Sequence, residues 1–149
     1  MPLKYFWEIA IPELAGHAII LDVDGTLCPD GAQELLPEAL TALNQLKAGN
    51  EVYLCSNKKL PDRIRKMAEN LGVKFLEGPY RKPSKKILQL LPNQSRRSLV
   101  VIGDKVLTDG LLARNIGARF IHVASLRSKP ETLSLKISYL LDKIAQRFF

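Results

Sequence analysis

Residues 19–27 read IILDVDGTL, an apolar run that ends in Asp22 and Asp24, one residue apart, followed by Gly25 and Thr26. On an extended segment, residues i and i+2 project to the same side, so both carboxylates come within reach of one ion. Burying two acids at the end of an apolar strand is costly unless a cation or a proton shares the space. Alone, the D-x-D pattern is often only a turn. A second acidic pair stands in VVIGDKVLTD, residues 100–109, where Asp104 and Asp109 again follow apolar residues and add oxygen donors. Oxygen-only donors, with no cluster of His or Cys, suit Mg2+, which keeps several waters and shares its shell between carboxylates and phosphate.

These residues must be positioned by the elements around them. Short, nearly continuous apolar runs read as strands at 18–23, 51–55, 73–76, 98–102 and 119–123, the pattern of a parallel sheet buried on both faces. Helical spacing lies between them. Residues 37–47 set Leu40, Leu43 and Leu46 on one side, and residues 61–71 set Ile64, Met67, Ala68 and Leu71 on an apolar stripe. Pro61 suits the first turn of that helix and Gly72 its end. Further helices are expected over 84–91 and 109–116. Alternating strands and helices imply right-handed crossovers and a three-layer, Rossmann-like α/β sheet of about five parallel strands. Ligands bind such sheets beyond the carboxyl ends of the strands. Asp22 and Asp24 close the first strand, Ser56 and Asn57 the second, and Asp104 the fourth, so all three polar sets are expected at one edge. A strand-end Ser-Asn is an ordinary turn in most proteins; its interest here lies in its company.

The ordered set DVDGT (22–26), VYLCSN (52–57), a lysine, and GDKVLTD (103–109) resembles the four motifs of the haloacid dehalogenase superfamily, whose members are mostly Mg2+-dependent phosphatases. The resemblance covers roughly residues 16–124. It implies that Asp22 is a nucleophile that becomes an aspartyl phosphate, and that Asp24 is general acid and then general base. The chemistry agrees: a carboxylate nucleophile splits one displacement into two, and a second carboxyl exchanges the proton. The resemblance further implies that Ser56 binds phosphoryl oxygens with help from Asn57. It implies too that Asp22, Asp104 and the backbone carbonyl of Asp24 hold Mg2+, with Asp109 acting through water or by orienting its neighbours. The lysine of the third motif is assigned to Lys82, which precedes Pro83; Lys58, Lys59, Lys85 and Lys86 are the alternatives. An ammonium there would neutralise Asp22 and the phosphate.

Relatives with a cap domain insert it after the first motif or between the second and third. Here those intervals hold only a short flap, single helices and strands, so the chain is expected to be a capless, single domain over 1–149. The spacing, the Lys-Pro at the third motif and the lead-in IAIPELAGHAIILD are similar to small capless (subclass III) phosphatases that include phosphatidylglycerophosphate phosphatases. The chain departs from that group in having Gly25 where Asn is frequent. An open site suits a phosphate on something large, such as a lipid at a membrane, a protein or a nucleic acid. The alternatives are a phosphatase of protein, nucleic-acid or soluble metabolite phosphates and a non-catalytic binding module that keeps the fold, although the intact Asp22 and Asp24 favour an enzyme.

Composition narrows this further. At 149 residues and 46% hydrophobic content, one domain with a substantial core is expected. No apolar segment approaches the length of a spanning helix. The stretch MPLKYFWEIAIPELAG carries acids and two prolines where an export signal needs a basic start and an unbroken apolar core, so a cytoplasmic location is expected, with peripheral membrane contact as an option. Cys28 and Cys55 have neither C-x-x-C spacing nor neighbouring histidines, which argues for reduced thiols. His17 and His122 are assigned to the scaffold. The net charge of +7 is uneven: residues 1–57 hold two Lys/Arg against eight Asp/Glu, and residues 58–149 hold twenty against seven. Such a field suits phosphate-bearing substrates or anionic surfaces. No aromatic RNA-binding motif accompanies it, so nucleic acid is not expected as a partner. In an amphipathic helix within 131–149, Leu133, Ile137, Leu140, Leu141, Ile144 and Phe148 share one face, with Lys136, Lys143 and Arg147 nearby. That face either packs on the sheet, the commoner role, or docks on anionic lipid.

Overall fold

The computed structural model describes residues 2–93, 98–127 and 131–149. Five short strands form one all-parallel sheet: β1 (Ala18–Leu21), β2 (Glu51–Leu54), β3 (Lys74–Phe75), β4 (Leu99–Gly103) and β5 (Arg119–His122), in the order β3-β2-β1-β4-β5. Each falls within a residue or two of its sequence-predicted run. Alternate residues of β1 enter opposite layers, as the pleat requires. Ile19 and Leu21 pack with α1 (Pro37–Gly49), α2 (Pro61–Leu71) and the lead-in residues Phe6 and Ile11. Ala18 and Ile20 pack with Ile87 and Leu91 and with Leu112 and Ala113 of α3 (Leu111–Ile116). Both faces are therefore covered, which is why the strands are apolar throughout rather than alternating.

The chain runs outward from β1 to β2 and β3, then returns to place β4 on the other side of β1. That reversal opens a crevice at the carboxyl end of β1, where ligands bind doubly wound sheets.

Up to residue 116 the helices follow the sequence with three departures. In α1 the buried stripe is Ala39, Ala42, Leu43 and Leu46. Leu40 faces solvent, because small alanines let this helix sit close to the sheet and the stripe is centred on them. The segment after Lys82 forms a 3-10 helix, Lys85–Leu90, capped by the Ser84 hydroxyl, which accepts from the Lys86 amide. The helix expected from 109 begins at Leu111, after a π-turn over Val106–Gly110. In that turn the amides of Asp109 and Gly110 both donate to the Lys105 carbonyl, at 2.8 and 3.2 Å.

The last helix, α4 (Leu133–Ala145), starts at Thr132, whose hydroxyl accepts from the Leu135 amide. Its buried residues are Tyr139 and Asp142. Leu133, Ile137, Leu140, Leu141 and Ile144 are exposed. The commoner role of an apolar helical stripe, packing on the sheet, is thus not the one observed: the polar face turns inward and the apolar face outward. None of the described helices is long and apolar enough to cross a membrane.

Candidate active site

The crevice gathers the three polar sets. Asp22 continues the β1 ladder, its amide donating to the Ile102 carbonyl at 3.0 Å, so its side chain stands at the strand end. One carboxylate oxygen accepts from the Thr26 hydroxyl at 2.8 Å and the other from Lys82 Nζ at 2.7 Å. Lys82 Nζ also donates to Asp109 Oδ1 at 2.7 Å. The lysine is buried. Burial disfavours its charge, but the Asp109 and Asp22 carboxylates outweigh that and hold it well above its ordinary range. Among the five candidate lysines, Lys82 is thus the one bound into the acidic cluster. Lys58 instead pairs with Asp30 at 2.6 Å.

Asp104 and Asp109 complete the cluster: with Asp22, each offers a carboxylate oxygen within 4.8 Å of the others, all three buried. Ser125 donates to Asp104 Oδ2 at 2.7 Å, and His122 Nε2 lies 3.0 Å from the Asp104 carbonyl, a scaffold role. Burial, reinforced by Asp22, raises the Asp104 carboxyl well above the usual range and lifts Asp109 to about 6. Three carboxylates face one ammonium, so the pocket carries an excess of negative charge and all its donors are oxygen. That donor set fits a divalent hard cation such as Mg2+. Asp104 and Asp109, with Asp22, are the residues that would hold it.

Two glycines make the close approach possible. Gly25 has φ +87°, and a Cβ there would stand 2.5 Å from Asp104 Oδ2 and 3.2 Å from the Tyr139 hydroxyl. The close approach of the Asp104 carboxylate and the positive φ together account physically for the glycine, with the Tyr139 hydroxyl tightening the same space. At Gly103 a Cβ would overlap the Asp109 carboxylate. The π-turn folds Asp109 back over β4, where its Oδ2 accepts from the Lys105 amide at 3.2 Å; such turns recur at functional sites.

The structure separates Asp24 from the cluster. Its carboxylate accepts two bonds from Arg63, at 2.8 and 3.0 Å, and one from the Gly31 amide at 2.8 Å. The side chains of both partners are largely buried. The Asp24 carboxylate is thus engaged away from the three acids, and the group through which the resemblance implies that Asp24 would meet a metal is its backbone carbonyl. Sequence reasoning missed Arg63, which also ties down the flap through the Ala32 carbonyl, 3.0 Å from its Nε. The available signal was its place one turn before Met67, at the border of the α2 stripe.

Ser56 lies at the edge of the pocket, 3.5 Å from Asp24 Oδ2. Asn57 lines the same pocket, and its carboxamide accepts from the Lys82 amide at 2.8 Å and donates to the Lys82 carbonyl at 2.9 Å. It fixes the backbone that delivers the lysine. The free thiols of Cys28 and Cys55 are buried, and burial pushes them up to about 12 and 11, so neither is an available nucleophile.

Above the cluster is a cleft of about 270 Å³. Asp22, Lys82 and Asp104 form part of its floor, and Ser134, Ser138 and Tyr139 of α4 contribute to its wall. Lys105 Nζ donates to the Ser138 hydroxyl at 2.9 Å and lies 4.8 Å from the centre of the Tyr139 ring, with the Arg127 guanidinium 4.2 Å from that centre. Sequence reasoning placed none of α4 at the site.

A doubly wound parallel sheet that gathers carboxylates and a buried lysine at its strand ends is the arrangement of an α/β fold with its ligand site in the switch-point crevice. The family model for haloacid dehalogenase-like hydrolases matches residues 19–117, and the chain belongs to that family. The matched stretch contains Asp22, Lys82, Asp104 and Asp109, whereas Ser125, Arg127 and all of α4 lie beyond it. No curated protein and no solved structure matches the chain.

Proposed function

We propose that this protein is a Mg2+-dependent phosphomonoesterase that acts through an aspartyl phosphate on Asp22, with a bulky ester such as phosphatidylglycerophosphate as its substrate. The observation that carries the reading is the Asp22 carboxylate itself, fixed at the end of β1 by Thr26 and Lys82 and facing an open cleft. A preorganised carboxylate is the requirement for in-line attack on phosphorus.

In the first step an Asp22 oxygen bonds to phosphorus as the P–O bond to the alcohol breaks, and Asp24 gives its proton to the departing oxygen. In the second, Asp24 takes a proton from water, the water oxygen bonds to phosphorus, and the acyl phosphate breaks to restore the Asp22 carboxylate and release inorganic phosphate. Asp24 reaches either proton only after its ion pair with Arg63 opens. Lys82 holds the unreacting Asp22 oxygen and offsets charge on the phosphoryl group. Ser56 is placed to donate to a phosphoryl oxygen. Asp22, Asp104 and Asp109 would hold Mg2+, which when bound would supply neutralisation of charge on the phosphoryl group.

The choice of a bulky substrate is supported by the absence of any inserted cap between β1 and β2 or between β2 and Lys82. Inorganic phosphate release from p-nitrophenyl phosphate, phosphatidylglycerophosphate in micelles and a phosphopeptide tests it. Preference for the lipid is expected. Preference for the peptide would reassign the substrate, and no release from any of them by folded protein would favour a non-catalytic binding module.

A further inference from the structure

The polarity of α4 is reversed relative to a helix that packs by its apolar face. Tyr139 and Asp142 are buried, Ser138 touches Lys105, and Asp142 Oδ1 accepts from the Leu107 amide at 2.9 Å. On the opposite side, Leu133 is 73% exposed, Leu140 58% and Ile144 47%, with Ile137 and Leu141 between them. Phe148, just past the helix, is 86% exposed. An outward stripe of this length is unusual on a monomer and marks an interaction surface.

The charges around the stripe say what covers it. Lys136, Lys143 and Arg147 follow one another at helical spacing along one flank, and all three are exposed. The one acid on α4, Asp142, is turned inward. An apolar face edged by cations and free of anions is the design of a helix lying in the headgroup plane of an anionic bilayer. A second copy of the chain fits less well, since neither copy's α4 presents a carboxylate to oppose the other's basic row.

We infer that the outward face of α4 docks this protein on anionic membranes, with the helix lying flat at the interface. The same helix forms part of the wall of the catalytic cleft through Ser134, Ser138 and Tyr139. Docking by the opposite face therefore holds the cleft beside a membrane-bound helix, one helix diameter, roughly 10 Å, from the surface that carries a lipid phosphate. The docking surface lies wholly outside the residues that define the hydrolase family, and it deepens the proposed lipid reading without needing phosphatase activity for its own test.

The test is flotation of the full chain with vesicles of phosphatidylcholine alone and of phosphatidylcholine mixed with phosphatidylglycerol. Three proteins are compared: wild type, L140E/I144E, and K136Q/K143Q/R147Q. These side chains point away from the cleft, so melting temperature and circular dichroism serve as the fold control. Wild type is expected to float with the mixed vesicles. L140E/I144E is expected to stay at the bottom. The triple variant loses on the order of a hundredfold in partitioning, at roughly fivefold for each basic residue. Equal binding to both vesicle types would overturn the role of the basic row, and undiminished binding by L140E/I144E would overturn the assigned face. A wild-type dimer that L140E/I144E dissolves, with no vesicle binding, would give the surface to a second copy. Should phosphate release fail while flotation succeeds, the catalytic reading falls and the docking surface stands.

Discussion

Lys82 is the residue on which the site's electrostatics turn. It joins Asp22 to Asp109 through two contacts of 2.7 Å, and without it three buried carboxylates are left facing one another. Lys82→Met is expected to destabilise the metal-free protein by about 3–5 kcal/mol, the cost of breaking a buried pair. It should also lower kcat/KM by at least about a hundredfold, through loss of transition-state charge stabilisation. Urea unfolding and steady-state kinetics measure the two; an unchanged midpoint would mean that the ion pairs are not formed. Asp109 carries a pH signature of its own. Its folded value of about 6 lies above its ordinary 3.8, because burial and Asp22 disfavour the charge. Between those values the native state binds more protons than the unfolded chain, so this group's contribution falls as pH rises through the window and is a cost at neutral pH. A divalent cation removes that cost only where the carboxylate is ionised, and below about 6 it competes with protons. The rise in melting temperature produced by Mg2+ is therefore expected to be large at pH 7.5 and small at pH 5, read by differential scanning fluorimetry. A pH-independent rise would contradict it.

The elements show how far a sequence reading carries. The strands were legible because a sheet covered on both faces needs continuous apolar runs, and α2 because its stripe, its starting proline and its closing glycine agree. Asp22, Asp104 and Asp109 were legible as a group because strand ends in such a sheet converge, and Lys82 through its resemblance to the third motif. Three things were not. The ion pair between Arg63 and Asp24 joins residues 39 positions apart, and no local pattern encodes it. Asn57 reads as a turn residue, and only its distance from the Lys82 backbone reveals that it holds the lysine. The direction of α4 was hidden for a related reason. Its stripe is plain, but which face the domain receives depends on Asp142 and Tyr139 finding the Leu107 amide and the Lys105 side chain. Asp142→Ala is accordingly expected to cost about 1–3 kcal/mol by leaving that amide without its partner. It should also speed limited proteolysis within α4 while the sheet stays protected. Asp142→Asn, which keeps the acceptor, should restore most of the loss, and equal behaviour of the two variants would contradict the assigned contact.

At the scale of the molecule, charge and shape divide the labour. Asp22 and Asp24 lie within residues 1–57, which are poor in Lys and Arg, and the basic excess lies entirely after residue 57, from which come Lys82 at the cluster and the row along α4. A sheet of five short strands fixes the cluster, and a helix beyond the family's matched region covers part of the cleft. The proposed chemistry rests on attack by Asp22 on phosphorus. Inorganic phosphate release by wild type and Asp22→Asn, with Mg2+ and after chelation, tests it most directly. Asp22→Asn keeps the size of the side chain and removes the nucleophilic oxygen charge. Release that requires Mg2+ and drops by at least about a thousandfold in the variant is the predicted result. Wild-type release that survives chelation, or undiminished release by Asp22→Asn, would mean that phosphorus is not attacked by Asp22 in a Mg2+-loaded site.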